Sequence, residues 1–164
     1  FPGIVAVIHM PVEFTGSFAE RLNSLCEISV KEAQDGDLIK PGQALLARGD
    51  KQLVVSKSSG SFSVRFSGNQ LVNGHCPSVD VLFSSVAQGI GEKAIGVILT
   101  GMGKDGAAGL GEIKSAGGWT IAQNQSSSIV FGMPKAAIEA GYASSVFSLS
   151  DIPSELVKNL QGLN

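Results

Sequence analysis

Two residues, His9 and Asp105, combine side chains and positions that could carry acid–base chemistry. His9 directly follows the apolar run IVAVI, and Asp105 lies in the stretch LTGMGKDGAAG, which follows the apolar run AIGVI. If both runs are parallel strands, their carboxyl ends meet at the sheet edge where open α/β sheets form a ligand crevice. An imidazole beside a carboxylate is the activating half of a hydrolase triad. The pattern therefore predicts a general base and the group that orients it.

Each of these residues also has a structural interpretation. Aspartate is among the best N-cap residues, so Asp105 could instead cap the helix that begins at Gly106. A single histidine at a strand end is more often simply packed and hydrogen bonded. The occurrence of both groups at one predicted sheet edge favours the chemical interpretation.

The glycines of this loop suggest a different kind of site. Gly101, Gly103 and Gly106 spell GxGxxG between a predicted strand and a predicted helix, which is the setting of a dinucleotide-binding loop. Such a site also needs an acidic residue about 20 positions further on to hold the ribose. The next predicted strand, WTIAQNQ, ends in amides instead. The sequence therefore favours a tight strand-to-helix turn, and no cofactor is expected.

Met102 is an apolar residue between two of these glycines. Its side chain could pack against a substrate, and the backbone N–H groups beside it, at Gly101 and Gly103, could form an oxyanion hole. We therefore include these three residues in the candidate site as substrate-adjacent positions.

Neither a nucleophile nor a metal site is evident. No GxSxG elbow occurs, Cys26 is predicted to lie within a helix, and the serines of KSSGS and QSSS lie in polar turns. His9 and His75 are the only histidines and belong to no ligand motif, so no metal is expected. His75 is predicted to lie in a loop that leads to a helix capped by Ser78.

Composition limits the class of protein. The 164 residues are 43% hydrophobic and 16% charged, which suits a single domain with one core. The net charge is −2 and no cluster of Lys and Arg occurs, so nucleic acid is not expected as a partner. No apolar run is long enough to span a bilayer, and we expect a soluble, cytoplasmic protein. Cys26 and Cys76 are expected to be reduced thiols, with a disulfide as the alternative.

The elements that must position these residues alternate between strand and helix. Apolar runs at residues 4–8, 94–99 and 119–122 predict parallel strands covered on both faces. Helical periodicity occurs at residues 14–26, 78–87, 107–116, 134–140 and 152–160. Residues 28–66 carry turn motifs and a predicted hairpin, QLVVSKSSGSFSVRF. They indicate an antiparallel insertion in a chain that otherwise alternates strand and helix. The predicted fold class is α/β: a doubly wound, mostly parallel sheet flanked by helices, with an inserted antiparallel β-hairpin.

Several long segments resemble one known family. They are IHMPVEFTGSFAERLNSLC, VNGHCPSVDVLFSSVA, AIGVILTGMGKDGAAGL and GGWTIAQNQSSSIVFGMPKAAIEAG. Together they resemble the catalytic domain of the chemotaxis protein-glutamate methylesterases, the CheB family, and the resemblance extends from about Gly3 to Leu160.

The resemblance implies a function and roles for particular residues. Members of the family hydrolyse methyl esters of glutamates on chemoreceptors, release methanol, and in many cases deamidate receptor glutamines. They use a Ser-His-Asp triad without cofactor or metal. The histidine of the family's HMP motif falls on His9, and the aspartate of its GMGxDG motif falls on Asp105. The methionine of that motif, near the oxyanion position, falls on Met102. The implied partners are chemoreceptors and an N-terminal receiver domain.

The sequence departs from the family pattern at its start. The resemblance implies that the nucleophilic serine comes from an STGG-type turn upstream of the HMP strand, and this sequence begins after that point. We therefore expect residues 1–164 to be a methylesterase catalytic domain that is incomplete at its N-terminus, lacks a central strand, and is inactive as it stands. The alternative is a non-catalytic receptor-binding module with the same fold.

Overall fold

The structure is a computed structural model that describes residues 1–162. Its strands are β1 (Ile4–Ala6), β2 (Ser29–Glu32), β3 (Gln43–Leu46), β4 (Leu53–Ser58), β5 (Ser61–Phe66), β6 (Ile95–Ile98), β7 (Trp119–Gln123) and β8 (Ser145–Phe147). Its α-helices are α1 (Val12–Leu25), α2 (Val79–Gly89), α3 (Ala107–Ser115), α4 (Met133–Glu139) and α5 (Ile152–Gly162). The predicted α/β class, with parallel strands, flanking helices and an antiparallel hairpin, is confirmed.

The parallel strands form two sheets of three strands each. One has the order β1-β3-β2 and the other the order β6-β7-β8. Within the described residues, β1 pairs only with β3, and β6 pairs only with β7. Each of these two strands therefore leaves one edge unpaired, and they are the strands that precede His9 and Asp105.

The segment 28–66 is only partly antiparallel, so the prediction for it was wrong in part. Strands β2 and β3 run parallel to β1 and belong to its sheet. Strands of four residues are too short for their pattern to distinguish parallel from antiparallel pairing. Only β4 and β5 form the predicted hairpin, with a turn at Ser59 and Gly60, whose φ angles are 49° and 83°.

The largest core cluster joins the second sheet to the helices that cover it. Its buried members are Val55, Val79, Leu82, Phe83, Ala94, Ile98, Ala107, Leu110, Ile113, Ala122, Met133 and Ala137. Helices α2 and α3 approach closely at Gly109, where an added Cβ would lie 2.6 Å from the Cβ of Phe83. This close contact fixes the start of α3, and hence the loop before it, against the start of α2.

Both cysteines lie outside the helices. Cys26 lies just after α1 and is exposed, so its predicted position within a helix was wrong. Cys76 is half-buried, and both cysteines are free thiols. In the described part of the chain, no helix combines the length and apolar character needed to cross a membrane.

Candidate active site

The structure brings His9 and Asp105 into direct contact. The Nε2 atom of His9 lies 2.7 Å from Oδ2 of Asp105. The His9 side chain is 22% exposed, whereas that of Asp105 is 1% exposed. One residue follows β1 and the other follows β6, so the contact joins the carboxyl ends of the two sheets. A buried carboxylate thus holds an imidazole that solvent can still reach.

The Asp105 carboxylate is held by donors on both oxygens. Oδ1 accepts hydrogen bonds from the Ser78 hydroxyl at 2.7 Å and from the Asn73 side-chain amide at 3.0 Å. Oδ2 accepts from the Val79 backbone N–H at 2.7 Å, in addition to the bond with His9. These bonds fix the position and the orientation of the carboxylate before any substrate binds.

The same bonds keep Asp105 ionised. Burial by itself would raise the pKa of the Asp105 carboxyl, because it penalises the charged form. Hydrogen bonds from His9, Asn73, Ser78 and the Val79 amide outweigh burial and leave the pKa well below its ordinary value. Asp105 is therefore a permanent negative charge at neutral pH, able to stabilise a protonated His9 ring.

Asp105 does not cap its own helix. The N-cap residue of α3 is Gly106, with a φ of 89°, and no side chain caps it. Asp105 instead accepts from Val79, the first residue of α2, so it caps the neighbouring helix. Ser78 occupies the N-cap position of α2, but its hydroxyl donates to Asp105 rather than capping the helix as predicted. The cap that the sequence assigned to Ser78 is thus supplied from another part of the chain.

The first turn of α3 is contacted by a carboxylate from α2. Asp80, in the first turn of α2, accepts a hydrogen bond at 2.7 Å from the Gly109 backbone N–H. An anion is favoured at a helix N-terminus, but here a protein carboxylate already takes the amide. The negative charges of Asp80 and Asp105 together make this turn unfavourable for a bound phosphate. The structure thus gives an independent reason to reject a phosphate-binding loop.

The orientation of the His9 ring identifies its free nitrogen. Because Asp105 is ionised and can only accept, Nε2 of His9 must carry the hydrogen in their bond. In the neutral ring the lone pair is then on Nδ1. Nδ1 is therefore the atom of this pair that could take a proton from a nucleophile.

His75 lies against His9, a contact that the sequence did not predict. The two ring centroids are 3.7 Å apart and the ring planes differ by 2°. His75 does lie in the loop before α2, as predicted, but the loop folds back onto the end of β1. Although the two histidines meet, residues 1–162 contain no group of three or more potential ligands that could hold a metal.

The glycine-rich loop supplies fewer free N–H groups than predicted. The Gly101 N–H donates to the Val130 carbonyl at 3.0 Å. It is therefore not available for the oxyanion hole, contrary to the prediction. Within the part of the chain that the structure describes, the N–H groups of Met102 and Gly103 have no hydrogen-bond partner. Gly103 has a φ of 88°, and the Met102 side chain is 81% exposed. The oxyanion candidates are thus reduced to these two N–H groups.

The amides that ended the predicted strand WTIAQNQ have a structural role. Gln123 is fully buried; its side-chain carbonyl accepts from the Thr100 N–H, and its amide group donates to the Ser127 carbonyl, both at 2.7 Å. Gln123 therefore ties the start of the glycine-rich loop to the neighbouring loop. No acidic side chain is present at this position to hold a ribose, so the nucleotide interpretation fails here too.

A pocket lies beside His9, but within residues 1–162 no hydroxyl side chain is hydrogen bonded to its ring. An open pocket of about 340 Å³ is lined by His9, His75 and Cys76 among others. Among the side chains of residues 1–162, only that of Asp105 hydrogen bonds to His9. The hydroxyl of Ser78 is close by, but it is fully buried and donates to Asp105. No serine in the described chain is thus placed to be activated by His9.

Comparisons with known proteins identify the family. A family model described as CheB methylesterase matches residues 1–156. Two relatives named protein-glutamate methylesterase/protein-glutamine glutaminase align with 97% of this chain: that of Salmonella typhi is 51% identical and that of Sulfurimonas denitrificans is 53% identical. The alignments cover 46% and 45% of those proteins, so the chain spans about half the length of the curated relatives it matches.

A solved structure is similar throughout the fold. The crystal structure of the Thermotoga maritima CheB methylesterase catalytic domain matches with a TM-score of 0.94 and 43% sequence identity. The match covers 96% of this chain and 84% of that one. The family model, the relatives and this structure agree, and the chain belongs to the CheB methylesterase family.

Proposed function

We propose that this chain is the ester-hydrolysing domain of a protein-glutamate methylesterase, with His9 as the general base and Asp105 as the group that orients it. The observation that carries the proposal is the 2.7 Å hydrogen bond between an accessible imidazole and a buried, ionised carboxylate. This arrangement lets the ring accept a proton while the carboxylate stabilises the resulting positive charge.

The reaction is an acyl transfer in two steps. In the first step, Nδ1 of His9 takes the proton of a serine hydroxyl while the serine oxygen attacks the carbonyl of a glutamyl methyl ester. The protonated ring then returns its proton to the departing methoxide, which leaves as methanol. In the second step, a water molecule is activated in the same way and releases the glutamate. Deamidation of a glutamine follows the same course, with ammonia as the leaving group.

The negative oxygen formed in each step needs hydrogen-bond donors. We propose the N–H groups of Met102 and Gly103 for this role, with the Met102 side chain against the substrate. Gly132 helps to shape this loop, since a Cβ at Gly132 would lie 2.7 Å from the Gly101 carbonyl oxygen and 2.9 Å from the Gly103 nitrogen. Such crowding would displace the donors from the position of the developing charge.

The serine is proposed to come from a further strand between the two parallel sheets. Among residues 1–162, strands β1 and β6 each have an unpaired edge, and the residues that follow them meet at one end. A strand that pairs in parallel with both would end beside His9, which is where a nucleophile is needed. Residues 1–164 are then a catalytic domain without its nucleophile-bearing strand, and they are inactive alone.

The partners follow from this assignment. We propose that the substrates are methylated chemoreceptors in the cytoplasm, and that a receiver domain precedes this domain in the full-length protein. The greater length of the matching relatives supports a second domain. The whole reaction is thus proposed as an adaptation step of chemotaxis.

The test is methanol release from a methylated chemoreceptor by the full translation product of the gene that encodes this chain. The proposal predicts release of methanol, and with amidated receptor the release of ammonia. Binding of the receptor without release of either product would favour the non-catalytic module and would contradict the proposal.

A further inference from the structure

One hydrogen bond leaves the His9 ring incompletely fixed. The bond from Nε2 to Asp105 sets the direction of one ring atom, but the ring can still rotate about that bond. The position of Nδ1, on the far side of the ring, changes with such rotation. A general base needs its accepting nitrogen in a defined place, because proton transfer requires a short and aligned hydrogen bond. Some second contact must therefore define the ring plane.

His75 provides that second contact. Its ring lies parallel to the His9 ring within 2°, at a centroid distance of 3.7 Å. This geometry means that the flat face of the His75 ring contacts His9. In the described structure, the nitrogens of the His75 ring form no hydrogen bond. A flat group against one face prevents the His9 ring from tilting and also excludes water from that face.

The loop that carries His75 is itself held from the core by Gln52. This side chain is only 4% exposed. Its amide group donates to the carbonyl oxygens of Gln70 and His75, at 2.8 and 3.0 Å, and its carbonyl oxygen accepts from the Ser78 N–H at 2.8 Å. A buried amide with these three bonds gives the loop one position. The stacked ring is therefore a supported part of the structure.

We propose that His75 is a positioning residue whose ring fixes the plane of the His9 imidazole, so that Nε2–H stays directed at Asp105 and Nδ1 keeps one position. The consequence for catalysis rests on the proposed function of His9 as a general base. The positioning itself is a property of the folded chain and can be measured without any reaction.

The test is nitrogen-15 NMR of the histidine rings in this chain at about pH 9, where an ordinary histidine ring is neutral. In the wild type, His9 should show a single tautomer, with well-separated shifts for protonated Nε2 and unprotonated Nδ1 and a slowly exchanging Nε2–H signal. His75→Ala and His75→Leu remove the flat ring; Asp105 should still hold the hydrogen on Nε2, but the slowly exchanging Nε2–H signal should be lost, because the ring can move and water reaches its uncovered face. His75→Phe keeps a flat ring and should retain the wild-type pattern.

Controls separate positioning from folding and from catalysis. Asn69→Ala shortens an exposed side chain of the same loop, outside the pocket of His9, and should leave the His9 signals unchanged; backbone amide spectra report whether each variant is folded. A wild-type His9 pattern in folded His75→Ala or His75→Leu would overturn the proposal, as would loss of the pattern in folded His75→Phe. Because no product is measured, absence of methanol release would contradict the proposed function and leave this result unaffected.

Discussion

Replacement of Asp105 by asparagine isolates the buried charge at the centre of the site. An asparagine side chain has nearly the same shape, but one oxygen becomes an NH₂ group that cannot accept a hydrogen bond. If that group replaces Oδ2, it faces the donors of Val79 and His9, each 2.7 Å away. If it replaces Oδ1, it faces the Asn73 amide. In either orientation, at least one donor loses its acceptor.

The size of the effect can be worked from these contacts. A buried donor without an acceptor costs about 1–3 kcal/mol, and the remaining hydrogen bonds lose roughly half their strength when the charge is removed. The expected loss in the free energy of unfolding is about 3–5 kcal/mol, the sum of one unpaired donor and several weakened hydrogen bonds. With a urea m value of about 2 kcal/mol/M, the midpoint should fall by about 2 M.

The assay is urea unfolding at pH 7, followed by circular dichroism. Asp35→Asn is a matched control, because Asp35 is on the surface and asparagine can still accept from the Phe66 N–H. We expect the control to change stability by less than about 1 kcal/mol. If Asp105→Asn were no more destabilising than Asp35→Asn, the carboxylate would not be the organising centre of these contacts, and the reasoning would be refuted.

Acid should reduce the difference between the wild type and Asp105→Asn. The pKa of Asp105 is lowered in the folded state, so its contribution to stability is complete above the unfolded-state pKa, near 3.9, and declines as the pH falls below that value. Between pH 5 and pH 3, a window below the ordinary titration range of histidine, the difference should narrow by about 1 kcal/mol. A difference that widened in acid would contradict the direction of the pKa shift.

The remaining predictions concern packing and thiol reactivity. Gly109→Ala should destabilise the chain by about 1–3 kcal/mol in the same urea assay, because its Cβ would lie within 3 Å of α2. The control Gly16→Ala, in the open part of α1, should be neutral or stabilising by up to about 1 kcal/mol. Equal effects of the two substitutions would contradict the close approach of α2 and α3. Cys26 should react with a thiol reagent at pH 8 well before Cys76, since burial and the nearby Asp50 raise the pKa of the Cys76 thiol, against a smaller opposing effect of Lys51. Peptide mapping after brief labelling measures this order, and faster labelling of Cys76 would contradict it.

The meeting of His9 and Asp105 could be expected from sequence because it depends on simple topology. Each residue follows an apolar run that forms a parallel strand, and the carboxyl ends of β1 and β6 lie together although the two strands belong to separate sheets. The five helices were also predicted within a few residues, since their apolar positions recur at helical spacing. Local sequence patterns were sufficient to predict an element where that element's own residues determine its conformation.

The contacts that support the pair could not be predicted in this way. Asn73, His75 and Ser78 lie in a loop whose path is set by Gln52, a polar residue with no local sign of a core position. The capping of α2 by Asp105 likewise joins residues that are distant in the chain. Such tertiary hydrogen bonds leave no periodic signal. The one cue was compositional: several polar residues in the NGHCPS segment directly before an apolar helix.

We propose that His9, held by Asp105, is the base of a serine-dependent ester hydrolase. The most direct measurement is the rate of methanol release from methylated receptor by the full translation product and by its His9→Gln variant, with Cys26→Ser, an exposed substitution, as the control. The account predicts that His9→Gln lowers kcat by about 10³- to 10⁴-fold or more while the receptor still binds, and that Cys26→Ser leaves kcat unchanged. Methanol release by His9→Gln at a rate close to that of the wild type would contradict the account.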